Sequence, residues 1–304
     1  MTGWRSRLER DPVGPRKADP APESGPREEM GSAMTSLAVL AGLSVFFALA
    51  ERLWPDRPQP LVRLGVLADA AYAALHYVLR VVVNGTLAIL VTAAGRRVLP
   101  AWSVGVLEGQ PIWLQAAVLL LVLDFFFYAM HRLKHRWPWW WRLHETHHSS
   151  ADLDWLSTAR FHPIEKLLDR SIFLLPLLVL GVSDGALVIW AAVDAFFGMF
   201  IHANVTWRIG PLIYVFTGPE MHRWHHALDP GRRECNYGNN FSIFDWLFGT
   251  ASLPRERPVR FGIEDPAYPQ GNLVGQFLYA FRRAPAAGVT GRSGAAPRGA
   301  RSPS

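Results

Sequence analysis

Long apolar stretches constrain this chain more than any other feature of its sequence. The clearest one runs from about Ile112 to Met130, and it is long enough to cross the hydrocarbon core of a bilayer as a helix. Three further stretches extend over about 34–50, 66–95 and 171–201. Because a backbone inside lipid must satisfy its own hydrogen bonds, these stretches predict an all-α integral membrane protein with roughly four to five membrane helices.

The two longest stretches leave alternatives open. Residues 66–95 contain Asp69 and His76, and they predict either one tilted helix or a broken one. Residues 171–201 are interrupted between Gly181 and Gly185. Because glycine commonly ends helices, the two arms predict either a helical hairpin or one long kinked span.

Composition and charge exclude several classes of protein. Half of the 304 residues are hydrophobic, which excludes a disordered chain, and the single cysteine excludes a disulfide-stapled domain. Five arginines and no acid lie between 282 and 304, so most of the net charge of +6 belongs to this end. No nucleic-acid-binding module is recognisable, and no nucleic-acid partner is predicted.

The polar ends flank one predicted membrane domain. Residues 1–33 predict a disordered tail, with Met30 and Met34 as alternative starts of the chain. Residues 34–282 predict the membrane-embedded domain, with its histidine-rich part at 124–250, and residues 283–304 predict a disordered basic tail. Lysine and arginine are dense in the polar segments after 130 and after 203. This density predicts that the two segments form a helical cap on the cytoplasmic face of a bacterial-type inner membrane.

Ten of the eleven histidines lie between 131 and 226, in three clusters and two single positions. Positions i, i+3 and i+4 share one face of a helix, so each cluster is expected to direct its rings at one point. One metal ion takes four to six ligands, so this many imidazoles predict two ions. The clusters are HRLKH (His131, His135), HETHH (His144, His147, His148) and HRWHH (His222, His225, His226); the single positions are His162 and His202.

Two other classes of protein compete with a two-metal enzyme. HETHH matches the zinc-protease pattern, with Glu145 as the base. A protease would leave HRLKH and HRWHH without a role, and HRWHH carries Arg223 where that pattern has a glutamate. The third class is a membrane protein that binds metal without catalysis.

The ordered pattern HRLKH, HETHHSS, FHPIE, HAN, HRWHH and NYGNNFSIFDWLFGT resembles the sterol desaturase / fatty acid hydroxylase superfamily of integral-membrane di-iron enzymes. The resemblance covers about Asp124 to Thr250. It implies two iron ions, O2 as co-substrate, and hydroxylation or desaturation of a membrane lipid. It implies as ligands His131, His135, His144, His147, His148, His222, His225 and His226, and His162 and His202 resemble the family's additional histidines.

Carboxylates near the ligands are expected to orient the rings and offset the metal charge. Asp124 lies seven residues before His131, and Asp194 lies eight before His202, both within apolar stretches where an acid is costly. The full set of candidates is Asp124, Glu145, Glu165, Asp194 and Asp245. For Glu145 and Glu165, a surface salt bridge with a nearby arginine or lysine is an equally good explanation.

Two further predictions concern the surroundings of the centre. Asn236, Gly238 and Asn239 predict either a turn near the metals or a plain loop, and the tryptophans at 137–141 predict a headgroup belt or a substrate entrance. The chain has no haem pattern or dinucleotide motif, so the electrons are expected from a separate reductase, ferredoxin or cytochrome b5-like donor.

Overall fold

The computed structural model describes residues 26–60, 62–228 and 234–282. These residues are helical apart from loops and two isolated β-bridges, which confirms the all-α prediction. The predicted tails lie outside this part of the chain, except that the first helix already begins at Pro26. The helices are α1 (Pro26–Leu53), α2 (Val66–Val98), α3 (Ile112–Arg136), α4 (Pro138–His148), α5 (Pro163–Leu180), α6 (Asp184–His202), α7 (Pro219–His225), α8 (Ile243–Leu247) and α9 (Leu273–Tyr279).

Within the described residues, α3 and α6 are long and apolar enough to cross a membrane. At 1.5 Å per residue, their 25 and 19 residues correspond to roughly 37 and 28 Å of helix. Helix α2 continues without a break from Val66 to Val98, as one of the two alternatives predicts.

The break after α5 produces a helical hairpin. Gly181 ends α5 in the left-handed region, with φ of 63°, where glycine is favoured. The backbone N–H of Ser183 donates to Gln115 Oε1 at 2.7 Å, so the turn lies at the start of α3. Leu119 and Leu123 of α3 and Leu180 then pack into one apolar cluster. Helices α3 and α6 therefore run in the same direction, with α5 antiparallel to them.

A buried ion-pair network joins the start of α2 to the segment that follows α4. Arg63 contacts Asp69 at 2.6 Å and Asp154 at 2.5 Å, and Arg160 also pairs with Asp69. Arg160 and Asp69 are fully buried and Arg63 nearly so. Because breaking a buried pair leaves a charge without compensation, this network fixes the loop around Arg160 against α2.

Candidate metal centre

The C-terminal ends of four helices converge on one buried region. Helices α3, α4, α6 and α7 each carry histidines in or next to their last turns. A helix C-terminus carries partial negative charge from its carbonyl groups, which stabilises cations nearby. The fold therefore brings the histidine clusters together with four helix C-termini, whose partial negative charge favours a bound cation.

Nine of the ten predicted histidines lie in two adjacent groups. Within each group the nearest ring nitrogens lie within 4.8 Å of one another. The groups touch, because the rings of His148 and His226 stack with centroids 4.4 Å apart. The five-histidine group is His131, His135, His144, His148 and His225, and the four-histidine group is His147, His202, His222 and His226.

Two of the sequence clusters are divided between the groups, which corrects the expectation that each cluster points at one place. In HETHH, His144 and His148 belong to the five-histidine group and His147 belongs to the other. In HRWHH, His222 and His226 belong to the four-histidine group, whereas the residue between them, His225, does not. The pairs that stay together are spaced i, i+4, so they share a helix face that the third residue leaves.

Backbone carbonyls orient four of the rings through their Nδ1 atoms. His131 Nδ1 lies 2.8 Å from the Tyr237 carbonyl oxygen, and His225 Nδ1 lies 2.7 Å from that of Cys235. A carbonyl only accepts, so Nδ1 must carry the hydrogen and Nε2 is left with its lone pair. The other two contacts are His147 Nδ1 with Arg160 O (3.2 Å) and His202 Nδ1 with Gly198 O (2.7 Å).

The buried ring nitrogens fit a bound metal. Among the described residues, Nε2 of His131 and of His144, and both nitrogens of His148, are buried without a hydrogen-bond partner. In the four-histidine group, Nε2 of His222 lies 3.1 Å from that of His226 and 3.3 Å from that of His202. Buried polar atoms normally have partners, and one cation in each group would satisfy several of these nitrogens at once.

Burial also keeps these rings in the protonation state that a metal needs. It lowers the pKa of four imidazoles in the loops and shorter helices well below the ordinary value, and neighbouring histidines reinforce the effect. These four are His147, His148, His222 and His226. Metal ligation requires neutral imidazole, so the environment favours ligands over cations.

Of the five predicted carboxylates, Glu165 contacts a histidine directly. Its Oε1 lies 2.8 Å from His144 Nδ1, and the side chain is fully buried. Glu145 instead accepts two hydrogen bonds from Arg282, at 2.5 and 3.1 Å. Glu145 thus forms an ion pair, but a buried one and not the surface salt bridge of the alternative, whereas Glu165 is placed to orient a ring and also pairs with Lys134.

The three aspartates act on the loop that follows the last histidine cluster. Asp124 accepts the backbone N–H groups of Asn240 (2.8 Å) and Phe241 (2.9 Å). Asp245 accepts those of Tyr237 and Gly238, both at 2.8 Å. Asp194 Oδ1 accepts from the side chain of Asn239 at 2.9 Å. They fix the loop whose Tyr237 and Cys235 carbonyls orient two histidines.

The same loop forms a turn at the centre, as one of the two alternatives predicts. Asn236 adopts φ of 58°, a left-handed conformation that asparagine tolerates better than most residues. Its side-chain amide donates to the carbonyls of Met221 (2.7 Å) and Ser252 (2.8 Å). A Cβ at Gly238 would lie 2.5 Å from the Phe241 carbonyl oxygen, so glycine is required for the close approach.

The structure places His162 outside both groups. Its Nδ1 accepts the backbone N–H of Ile164 at 3.2 Å, which caps the start of α5. Its Nε2 lies 3.2 Å from the Phe277 carbonyl oxygen. The ring thus serves a helix end, a role that the motif FHPIE does not distinguish from ligation.

Sequence reasoning missed three buried cations. Lys134, Arg160 and Arg223 belong to the lysine- and arginine-rich segments that predict the cytoplasmic face, yet each is at most 2% exposed. Lys134 pairs with Glu165 and Asp169, at 2.9 and 2.7 Å. Its spacing of three residues from His131 is the one signal that could have placed it on the ligand face.

Comparison with known proteins covers the region of the centre. The fatty acid hydroxylase family model matches residues 116–250. Ornithine lipid hydroxylase OlsE of Rhizobium tropici is 38% identical over 144 residues, which are 47% of this chain and 44% of that protein. Human alkylglycerol monooxygenase is 30% identical over 161 residues, which are 53% of this chain and 36% of that protein.

A more distant relative is a putative methylsterol monooxygenase of Dictyostelium discoideum, 26% identical over 137 residues, covering 44% of this chain and 49% of that protein. The aligned region thus spans less than half the length of each of these relatives. No solved structure matches the chain. The matched region holds all nine clustered histidines. The resemblance to the sterol desaturase / fatty acid hydroxylase superfamily that the histidine pattern predicts is therefore confirmed over residues 116–250, which match the fatty acid hydroxylase family model.

Proposed function

We propose that this protein is an O2-dependent lipid hydroxylase whose two histidine groups each hold one iron ion. The observation that carries the proposal is the pair of adjacent, buried groups of five and four histidines. Imidazole suits iron among the transition metals, and the relatives named above are lipid hydroxylases and monooxygenases. Two iron ions with O2 would supply an oxidant strong enough for an unactivated C–H bond.

The protein's own residues would hold, orient and shield such a centre. The Tyr237 and Cys235 carbonyls and the Glu165 carboxylate fix three rings of the five-histidine group. The Arg160 and Gly198 carbonyls fix two rings of the other. All nine histidines except His135 are nearly inaccessible to solvent. This rigid, dry surrounding would limit side reactions with water.

The centre lies at one face of the membrane in this proposal. Helices α3 and α6 cross the bilayer in the same direction and bring His131, His135 and His202 to that face. Trp137 and Trp139 follow α3 and are half exposed, as headgroup-level anchors are. We place this face on the cytoplasmic side of a bacterial-type inner membrane, with α1 and α2 among the four to five spans. A separate electron donor would approach there.

The geometry disfavours a zinc protease. A protease built on HETHH would use Glu145 as its base, but that carboxylate is paired with Arg282. His144 and His148 also share their group with three more histidines from α3 and α7. A single-metal protease would need only two of these histidines, so the other imidazoles of the group would have no role in it.

Metal content and oxygen use test the proposal. Full-length protein purified in mild detergent should contain about two irons per chain, one for each ligand group. With a reductant and a membrane-lipid extract, it should consume O2 and yield a product that gains one oxygen atom. A product that only loses two hydrogens would indicate a desaturase. A single zinc that resists exchange for iron would contradict the oxygenase.

A pair of histidine variants provides the control. His225→Ala should abolish O2 uptake even though four histidines of its group remain to hold a metal, because it removes a ring that the Cys235 carbonyl orients and so changes the ligand set of the reactive ion. His76→Gln should retain it, because His76 lies outside both groups and contacts the Phe161 carbonyl oxygen at 3.1 Å. Retained activity in His225→Ala would contradict the assignment of this centre.

A further inference from the structure

A fully buried lysine lies behind the five-histidine group. Lys134 is on α3 between His131 and His135, and only 2% of its surface is exposed. Its ammonium lies 2.9 Å from Glu165 Oε1 and 2.7 Å from Asp169 Oδ2. A buried ammonium is costly unless it is paired, so these two carboxylates of α5 account for its presence.

The glutamate between this lysine and the histidines has few other contacts. Glu165 Oε1 receives both the Lys134 ammonium and His144 Nδ1, the latter at 2.8 Å. Its second oxygen, Oε2, is buried without a hydrogen-bond partner among the described residues. Lys134 and His144 are therefore the two groups that determine where this carboxylate points.

Because Nδ1 of His144 is held by Glu165, its Nε2 is the nitrogen left for a metal. That Nε2 is buried without a hydrogen-bond partner in the described part of the chain. A hydrogen bond from the outer ring nitrogen to a carboxylate fixes the tautomer and orientation of a ligating histidine and raises its basicity. Asp169, Lys134, Glu165 and His144 thus form a chain of hydrogen-bonded contacts that ends at the proposed ion.

We propose that Lys134 is a positioning residue for the metal site of the five-histidine group. It acts through Glu165, by holding Oε1 where it accepts from His144 Nδ1. The inference rests on the proposed function, since it needs a metal at that group. It goes further by assigning a role to a residue that touches no ligand itself.

The alternative is that Lys134 only balances two buried carboxylates. Glu165 and Asp169 are four residues apart on α5, so they are neighbours on one face. Without the ammonium they repel each other, and the protein would lose stability whether or not His144 is involved. A test must therefore separate metal affinity from folding.

The test uses cobalt(II) as the probe on full-length, metal-depleted protein in detergent, by competition with a chelator. Lys134→Met should weaken cobalt binding at one of two sites by about tenfold to a hundredfold, as loss of an outer partner of a metal ligand does. The second site, in the four-histidine group, should keep its affinity. Glu165→Gln should weaken the same site.

The double variant Lys134→Met/Glu165→Gln distinguishes the two roles. If Lys134 acts through Glu165, its replacement in the Glu165→Gln background should change affinity by less than about threefold, because residues in one network are not additive. If Lys134 is only structural, the two losses should multiply. That result would overturn the inference.

Two further variants control for charge and folding. Arg282→Met removes the partner of Glu145, the neighbour of His144 in sequence, and should leave cobalt affinity unchanged. If Lys134→Met does not fold, Lys134→Met/Asp169→Leu replaces the pair by apolar groups, a change that is often tolerated. It should show the same loss at the same site. Unchanged affinity in this variant would overturn the role of Lys134, whereas a wild-type protein that binds no cobalt would contradict the proposed function itself.

Discussion

The two histidine groups differ in what surrounds them. The five-histidine group has a carboxylate in direct contact, since Glu165 accepts from His144 at 2.8 Å. Next to the four-histidine group lies a cation instead, since the Arg223 guanidinium donates to the His202 carbonyl oxygen at 3.4 Å. Near the five-histidine group the carboxylates of Glu165 and Asp169 outnumber the Lys134 ammonium by one charge, whereas Arg223 is balanced by Asp56, so the first environment is better suited to offset the positive charge of a metal.

The groups also depend on different parts of the fold. Carbonyls of the loop at 235–241, fastened by Asp124 and Asp245, orient the five-histidine group. The four-histidine group is oriented by Gly198 within α6 and by Arg160 at the edge of the buried ion network. The two groups thus share α4 and α7 but are oriented mainly by different parts of the fold, and changes to one support should affect one group first.

Removal of one histidine from each group should give the largest contrast. His202→Ala leaves three histidines in its group, whereas His148→Ala leaves four, enough for a tetrahedral ion. We expect His202→Ala to reduce metal content from about two to about one per chain, and His148→Ala to retain nearly two. Elemental analysis of both purified variants measures this. Equal losses would show that the groups do not act as separate sites.

Replacement of Arg160 should produce the next largest effect. Arg160→Met leaves Asp69 with one cation fewer in a fully buried position, and loss of one partner of a buried pair costs about 3–5 kcal/mol. It should also displace the carbonyl that orients His147, and so lower metal retention in the four-histidine group first. Thermal unfolding in detergent and metal analysis measure the two effects.

The exposed Arg52 provides the matched control for this prediction. It donates one hydrogen bond to the Gln59 carbonyl oxygen at the surface. Arg52→Met should change stability by less than about 1 kcal/mol, as exposed charges usually contribute little. If Arg160→Met behaved in the same way, the network would not support the four-histidine group.

Nine of the ten histidines that the sequence predicts as ligands come together in the structure, because helical spacing determines which side chains share a face. It did not predict how they divide, since HETHH and HRWHH each contribute to both groups and only the packing of α3, α4, α6 and α7 decides which ring meets which. Four rings are oriented by backbone carbonyls, at Arg160, Gly198, Cys235 and Tyr237. Every residue has a carbonyl, so no side-chain pattern reveals these contacts.

The fold could likewise be predicted only in part. The helical class and the break at Gly181 follow from local composition, whereas the direction of the α5–α6 hairpin depends on where Gln115 meets Ser183. Burial was the hardest property to predict. Lys134 and Arg160 read as surface cations, and only their acidic partners, which are 31 or more residues away in sequence, explain why they lie inside.

Replacement of Asp245 tests the support of the five-histidine group. Asp245→Asn keeps one acceptor oxygen but puts an amide N–H opposite one of the two backbone N–H groups, those of Tyr237 and Gly238, which bond to separate carboxylate oxygens of Asp245. Loss of such charged hydrogen bonds costs about 1.5–3 kcal/mol each. We expect lower thermal stability and weaker metal binding at this group. Asp184→Asn, at the exposed start of α6, should change neither by more than about 1 kcal/mol. Weaker metal binding in the four-histidine group instead would contradict the separation of the supports.

Two glycines give the smallest contrast, one beside each group. A Cβ at Gly238 would lie 2.5 Å from the Phe241 carbonyl oxygen, and moving this backbone atom away is energetically costly. Gly238→Ala should therefore lower the free energy of unfolding by about 1–3 kcal/mol. A Cβ at Gly198 would meet the Thr158 hydroxyl at 2.9 Å, and this side chain can turn away. Because alanine also favours the helix by about 1 kcal/mol, Gly198→Ala should be nearly neutral. Gly42→Ala, with open space around it, isolates the gain from helix propensity. Thermal unfolding of the three variants would show whether the loop support is the more rigid of the two, and a larger loss at Gly198 than at Gly238 would reverse that conclusion.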